Sequence, residues 1–130
     1  MSKSNAAETA FLTLVFNNTD WANIGDAGGL QNSAAAGSLY VALHTGDPGD
    51  AGNASTSECA YGSYARQAVA RSGAGWTVSG DTVSNAALIQ FPQCSSGSET
   101  ITYVSITTAV SGTSDILWSG ALSASLAVSS

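Results

Sequence analysis

The segment LYVALH, residues 39–44, decides the fold class of this chain. Leu39, Val41 and Leu43 recur at every second position, which places them on one face of a β-strand. Residues 45–57 follow and are rich in Gly, Asp, Asn and Pro, so they predict a loop that ends the strand. From this point onward the chain is predicted to be β.

Short segments with strand character follow along the rest of the chain. They are residues 64–70, 76–79, 82–84, 87–91, 101–107, 115–122 and 126–128. Turn residues separate them and no helical pattern lies between them. The sequence therefore predicts a mainly β fold with seven or eight strands, an antiparallel β-sandwich or jelly-roll-like domain.

Residues 5–17 predict a short N-terminal α-helix. Ser4 or Asn5 can cap its first turn, with Glu8 as a capping-box partner of Asn5, and Asn18 can end it. The apolar face is predicted to contain Ala7, Phe11, Leu14 and Val15. A chain of 130 residues is one compact domain's length, so we expect a helix and docking loop over 1–37 and a β-sandwich over 38–130.

Charge is scarce in this sequence. Charged residues make up 9% of the chain, against about 25% in an ordinary soluble domain. The net charge is −6, and Lys3, Arg66 and Arg71 are the only cations besides the N-terminus, which excludes a nucleic-acid partner. No apolar run approaches the roughly 18 residues of a membrane span, so no membrane partner is expected.

The sequence contains few residues suited to catalysis. Its single histidine, His44, stands at a strand end near Asp47 and Asp50, but no GxSxG motif frames a nucleophile. We therefore expect His44 to bond to loop backbone and the protein not to be an enzyme, with no catalytic residues. Cys59 and Cys94 match no zinc spacing and are expected to be free thiols, with a disulfide as the alternative.

Metal and sugar sites are the remaining ligand classes. The acidic loop over 45–53 could supply oxygen ligands to Ca²⁺, but its spacing differs from that of a calcium loop and suits turns better. No metal site and no cofactor are expected. Among the aromatic residues, Tyr61 and Tyr64 are the candidates for an exposed sugar-binding edge, whereas Trp76 and Trp118 are expected in the core.

The low charge also indicates assembly. Natural sheet proteins protect their edges with Lys, Pro, bulges or coverage, and this chain has almost no Lys. Its edges and flat faces are thus expected to be covered by neighbouring subunits in a homo-trimer or homo-dimer.

The stretch SLYVALHTGDPG, residues 38–49, resembles a family of small tailed-bacteriophage virion proteins with the signature LYVALHTxDPG. Further pieces match in order, at residues 15–19, 64–66, 69–71, 75–78, 84–86, 91–92 and 119–122. The resemblance implies a tail-fibre protein or a capsid-decoration (cement) protein, and it implies no catalytic residues.

Within that resemblance we expect a cement protein that binds and stabilises the shell, because the chain has one short helix and no long repetitive shaft. Its partners would be further copies of itself and other virion proteins, above all the major capsid protein. The residues expected to contact them are Phe11, Leu14, Val15 and Trp21. The alternative is a tail-fibre or tail-tip component that binds a host receptor or glycan. Either protein would be made in the bacterial cytoplasm and located in the virion.

Overall fold

A computed structural model describes the chain from Met1 to Ser130. Its elements are α1 (Asn5–Asn17), β1 (Ser38–His44), β2 (Gln67–Ala70), β3 (Trp76–Ser79), β4 (Thr82–Asn85), β5 (Ser98–Thr107) and β6 (Ile116–Ser129). The predicted mainly β class with one short N-terminal helix is confirmed. The helix is too short, and not apolar enough, to cross a membrane.

The strands form two antiparallel arrangements. One sheet has the order β2-β1-β5-β6, and β3 pairs with β4 in a separate hairpin. In the larger sheet Val41 faces Ile106 across β1 and β5, and Val104 faces Gly120 across β5 and β6. β6 is therefore an edge strand, with β5 on one side only.

The chain forms two compact units. The first contains residues 1–38 and 69–89, and the second contains residues 39–68 and 90–130. In the first unit lie α1 and the β3–β4 hairpin, whereas β5, β6 and all of β1 after Ser38 belong to the second.

Several predicted strand bounds need correction. Residues 87–91 form no strand, because the Asn85 side chain donates to the Ala87 carbonyl (2.8 Å) and turns the chain as soon as β4 ends. The predicted segments 115–122 and 126–128 are one strand, β6. A register shift places residues 122–125 opposite Thr102, and this lets the strand continue between the two predicted segments.

The helix forms where predicted, but it buries a different face. Ser4 is the N-cap and its hydroxyl accepts from the Ala7 amide (3.3 Å), while Asn18 ends the helix with φ of 53°. Leu12 and Phe16, four residues apart, are its buried side chains. The predicted apolar face is therefore not the one that packs into the core: Ala7, Leu14 and Val15 are partly buried and Phe11 is exposed.

The core of the first unit is built on an aromatic pair. Phe16 is fully buried and its ring meets that of Trp76 edge-on, with centroids 4.9 Å apart. Trp76 is 4% exposed, which confirms the prediction that it is a core residue. An edge-to-face pair adds to the stabilisation that burial of the two rings provides.

The end of α1 is held by a charged side chain from the same unit. The Arg71 guanidinium donates to the carbonyls of Leu14 (2.9 Å) and Val15 (2.7 Å), which lie in the last turn of the helix. It also donates to the Ala36 carbonyl and the Ser33 hydroxyl. A cation at a helix C-terminus donates hydrogen bonds to carbonyls that lack a partner within the helix. Its positive charge also interacts favourably with the negative end of the helix dipole.

The second unit has its own core cluster. Its buried members are Cys59, Tyr61, Cys94 and Ile101, and Leu43, Tyr64, Leu122 and Val128 pack against them. Trp118, expected in the core, is instead 37% exposed on the edge strand β6. Because an edge strand has a neighbour on one side only, its side chains are less covered than those of a central strand.

Replacing Trp76 with alanine should lower the free energy of unfolding by about 3–5 kcal/mol, because it removes a buried ring and leaves a cavity beside Phe16. Urea unfolding followed by circular dichroism measures the change. Leu88→Ala in the same unit is the matched control, since Leu88 is 84% exposed and its loss should cost no more than about 0.5 kcal/mol. Equal losses in the two variants would show that Trp76 is not a core residue.

Candidate functional site

His44, the one candidate for base catalysis, is fully buried. Its Nδ1 lies 2.9 Å from the Thr56 carbonyl and its Nε2 lies 2.7 Å from the Ser105 hydroxyl. Since a carbonyl can only accept, Nδ1 carries the proton in the neutral ring and Nε2 accepts from Ser105. The predicted bond to loop backbone is confirmed. Ser105 is itself 1% exposed, so this Ser–His pair joins β1, β5 and the loop, and a substrate cannot reach it.

No carboxylate completes this pair. The atom that would meet an aspartate in a catalytic triad, Nδ1, is occupied by the Thr56 carbonyl. Asp47, which the sequence places near His44, accepts instead from the Gly49 amide (2.9 Å) in a turn. The arrangement therefore holds the imidazole in place without the third member that orients a catalytic base.

The buried Arg66 forms an ion pair with Glu58, which is partly buried. Arg66 Nε and Nη2 donate to the two Glu58 carboxylate oxygens at 2.6 and 2.8 Å. The remaining donors reach the carbonyls of Ala109 (3.0 Å) and Gly112 (2.7 Å) and the hydroxyl of Ser114 (3.2 Å). The bonds to Glu58 raise the pKa of Arg66 against the opposing effect of burial. The guanidinium is thereby fully engaged within the protein.

The predicted sugar-binding edge at Tyr61 and Tyr64 is wrong. Tyr61 is 6% exposed and its hydroxyl donates to the Pro92 carbonyl (3.1 Å). The Tyr64 ring lies between Tyr61, edge-on at 5.3 Å, and Phe91, parallel at 6.2 Å. Its hydroxyl accepts from the Leu43 amide at 3.0 Å. Burial raises the pKa of both phenols, and the Tyr64 face that stacks on Phe91 is not available to a ligand.

The two cysteines are free and buried, as predicted for reduced thiols. Burial, the most important cause, together with the nearby carboxylates of Glu99 and Glu58, raises the pKa of Cys59 to about 12. Glu99 is held in place because its carboxylate accepts from the amides of Ala60 (2.9 Å) and Tyr61 (3.1 Å). A thiol with so high a pKa is a poor nucleophile.

The loop over residues 45–57 uses its oxygen atoms for turns. The Asn53 side chain accepts from the Ser55 amide (2.9 Å), and the Thr56 hydroxyl accepts from the Asn53 amide (3.0 Å). The bonds of Asp47 to Gly49 and of Asn53 to Ser55 are Asx turns, and the Thr56 hydroxyl closes the same loop from its other end. No group of three or more His, Cys, Asp or Glu side chains is placed to hold a metal ion.

The residues predicted to contact a partner all lie in the first unit. Phe11 is 42% exposed on α1, while Leu14, Val15 and Trp21 are partly buried. Trp21 is fixed through its backbone, which exchanges two 2.9 Å hydrogen bonds with Leu30. Their role in binding stays a prediction.

The sequence analysis did not predict a depression on the surface of the second unit. A depression of about 450 Å³ runs beside β6, between residues 116–119 and the loop residues Gly49, Asp50 and Gly52. Leu117, Trp118 and Leu126 are large apolar side chains that β6 leaves exposed. The available signal was the run of residues 116–129, which contains no charged residue and no proline.

Comparison with known proteins gives one result that spans the chain. The model of the family described as "Podophage GP4 fiber I protein gp80" matches residues 2–130. A search of proteins with curated descriptions found no match.

The stability of the protein should fall as the pH rises from 9 toward 12, partly because of Cys59. The unfolded thiol loses its proton near its ordinary pKa of 9.0, while the folded thiol keeps it to about 12, so alkaline pH favours the unfolded chain. Urea unfolding across this range should give a shallower pH slope for Cys59→Ala than for the wild type. Equal slopes would contradict the raised pKa.

Arg66→Met should lower the free energy of unfolding by about 3 kcal/mol, because it leaves the Glu58 carboxylate without its partner. Arg66→Lys should recover only part of the loss, since an ammonium cannot donate in the same bidentate way. Lys3→Met is the matched control at an exposed cation and should change stability by no more than about 0.5 kcal/mol. Urea unfolding measures all three, and a loss no larger for Arg66 than for Lys3 would overturn the structural role of the ion pair.

Proposed function

The chain belongs to this phage fiber I protein family, and from that premise we propose that it is a non-catalytic structural subunit of a fibre on a podophage virion. The observation that carries the proposal is the extent of the family match, which takes in both compact units. Membership makes the protein a structural component of a phage virion. What we propose beyond membership is that the protein is located in a fibre of that virion.

The chemistry of the buried groups supports a role without catalysis. His44, Arg66 and Cys59 are the residues best suited to acid–base, anion-binding or nucleophilic chemistry, and each is buried. His44 and Arg66 form their hydrogen bonds with neighbouring segments of the protein. The raised pKa of Cys59 keeps its thiol protonated. These residues thus stabilise the fold.

A capsid cement protein is the second candidate. The observation that favours it is the absence of a shaft: α1, with 13 residues, is the only helix, and the rest of the chain is built of strands and loops. A cement protein would bind the major capsid protein and be present across the shell. The family description favours the fibre over this role.

In either location the first unit offers a docking segment for other virion proteins. Phe11 exposes 42% of its surface on α1, and Leu14, Val15 and Trp21 are partly exposed nearby in sequence. An apolar side chain on a helix that is otherwise anchored through Phe16 and Arg71 can meet a partner without disturbing the fold. We assign the contact with neighbouring virion proteins to these four residues.

Quantitative mass spectrometry of purified particles distinguishes the two locations. A fibre subunit should be present in far fewer copies than the major capsid protein, in a number set by the tail symmetry, and antibody labelling should mark the tail. A copy number comparable with that of the capsid protein would establish the cement role instead. Absence from the particle would overturn both.

The same measurement tests the docking segment. Particles that carry Phe11→Ser should contain less of the protein than wild-type particles. Leu88→Ser is the matched control, since it removes another exposed apolar side chain of the first unit. Equal incorporation of the two variants would contradict the assignment of Phe11.

A further inference from the structure

A bulge in β6 forms one wall of the depression beside that strand. Ile116 and Trp118 pair with consecutive residues of β5, so Leu117 between them has no partner there. Such an extra residue bends its strand and changes the direction of the side chains around it. Four consecutive residues of β6, starting at Ile116, line the depression, which has a volume of about 450 Å³. Binding pockets measure roughly 300–1,000 Å³, so this one is large enough to admit a side chain.

A tight turn in the loop over residues 45–57 forms the opposite wall. The Gly52 amide donates to the Gly49 carbonyl (3.1 Å), and Asp50 is the first residue between them. Gly49 has a φ of 68°, and a side chain at Gly52 would collide with the Pro48 carbonyl. The two glycines therefore permit a turn that other residues would strain, and this turn holds Asp50 at the depression.

The Asp50 carboxylate has its acceptor capacity unused. It is exposed, and it makes no hydrogen bond and no ion pair within the chain. By contrast, Asp47 in the same loop accepts from the Gly49 amide (2.9 Å), and Glu58 is paired with Arg66. An ionised carboxylate only accepts hydrogen bonds, and its two oxygens can take both donors of one guanidinium. Asp50 therefore offers the depression a negative charge and a pair of free acceptors.

The rest of the second unit adds negative charge around the depression. Its aspartates are Asp47 and Asp50 in the loop and Asp115, which directly precedes Ile116, and all three are exposed. The one Lys or Arg of this unit, Arg66, is 5% exposed and donates to carbonyls inside the protein. The electrostatic potential of this surface therefore attracts a cation and repels an anion.

The indole of Trp118 determines which kind of cation fits. Trp118 lines the depression and is 37% exposed. The negative face of an indole attracts a cation, and arginine makes this contact more often than lysine does. A planar guanidinium can stack on an indole and also donate two parallel hydrogen bonds to a carboxylate, whereas an ammonium is a compact point charge. An indole and a free carboxylate in one depression therefore favour a guanidinium.

We propose that this depression receives an arginine side chain of a neighbouring virion protein, whose guanidinium pairs with Asp50 and stacks on Trp118. The inference rests on the structural role proposed above, because a subunit of a virion contacts its neighbours. The partner is a protein other than this one, since Arg66 and Arg71 are both engaged inside their own units. The contact is additional to the one assigned to Phe11.

Peptide binding to the isolated full chain tests the chemistry of the depression. The probe is the acetylated and amidated tripeptide Ala-Arg-Ala, and binding is followed by ¹H–¹⁵N NMR. One side chain in an open depression should bind with a dissociation constant on the order of 1 mM. The indole N–H signal of Trp118 should shift during the titration, while those of Trp21 and Trp76 in the first unit are the internal references.

Two further peptides test whether the guanidinium is what binds. A peptide with citrulline in place of arginine keeps the shape of the side chain and loses the charge, so it should bind roughly tenfold more weakly. A peptide with lysine keeps the charge and loses the planar pair of donors, so it should also bind several-fold more weakly, by about threefold or more.

A pair of protein variants tests the carboxylate. Asp50→Asn should weaken binding of the arginine peptide by roughly tenfold, because it removes the charge and leaves the size of the side chain unchanged. Asp81→Asn is the matched control, since it removes the same charge from an exposed aspartate of the first unit. It should leave the affinity within about twofold of the wild type, because salt screens distant charges.

Incorporation into particles tests whether the arginine belongs to a virion protein. Quantitative mass spectrometry should find less of the protein in particles that carry Asp50→Asn than in particles that carry Asp81→Asn. Equal incorporation of the two variants would overturn the assignment of the partner.

Two results of the peptide titrations would overturn the site itself. They are a Trp118 signal that the arginine peptide leaves unchanged, and equal affinities for the arginine and citrulline peptides. The copy number of the protein in the virion is a separate measurement. The fibre proposal can therefore fail while the arginine contact is confirmed, and the arginine contact can fail while the fibre proposal is confirmed.

Discussion

The ion pair of Arg66 and Glu58 is the constraint on which the second unit depends. Taking two charges out of water is costly, and the cost is repaid only where each donor and acceptor finds a partner. Arg66 meets this condition with bonds to Glu58, two carbonyls and one hydroxyl, and Glu58 also accepts from Tyr64. The guanidinium thereby joins the end of the acidic loop, the chain before β2 and the turn between β5 and β6, segments that are far apart in sequence.

Arg71 performs the corresponding task in the first unit, where it joins the last turn of α1 to the loop before β1. Two of the three cationic side chains are thus used to connect segments that have little regular structure of their own. In a chain with many Ser, Ala and Gly residues, apolar side chains are small and cores are thin. Directional bonds from a planar guanidinium supply the order that packing alone would not.

The sequence predicted local features well. The predicted bounds of α1, β1 and β3 agree with the structure to within one residue, because a cap, a strict alternation and a turn each act within a few residues. Features that depend on distant residues were missed. The buried stripe of α1 depends on Trp76, 60 residues beyond Phe16. The continuity of β6 depends on a register shift against β5, and the burial of Tyr64 depends on Phe91.

For the candidate site, too, local features could be predicted from the sequence and features that depend on distant residues could not. The sequence analysis selected His44, Tyr61, Tyr64 and the cysteines because side chains of these types can bind ligands or take part in reactions. The type of a residue, however, does not determine whether the folded chain exposes it. The fold buries all of these except part of Tyr64, whereas the six aspartates of the chain stay exposed. Because both arginines are used inside the protein, Lys3 is the one cationic side chain left exposed. In a chain so poor in cations, the two guanidinium groups are used to connect distant segments of the interior, and the surface is left with an excess of carboxylates.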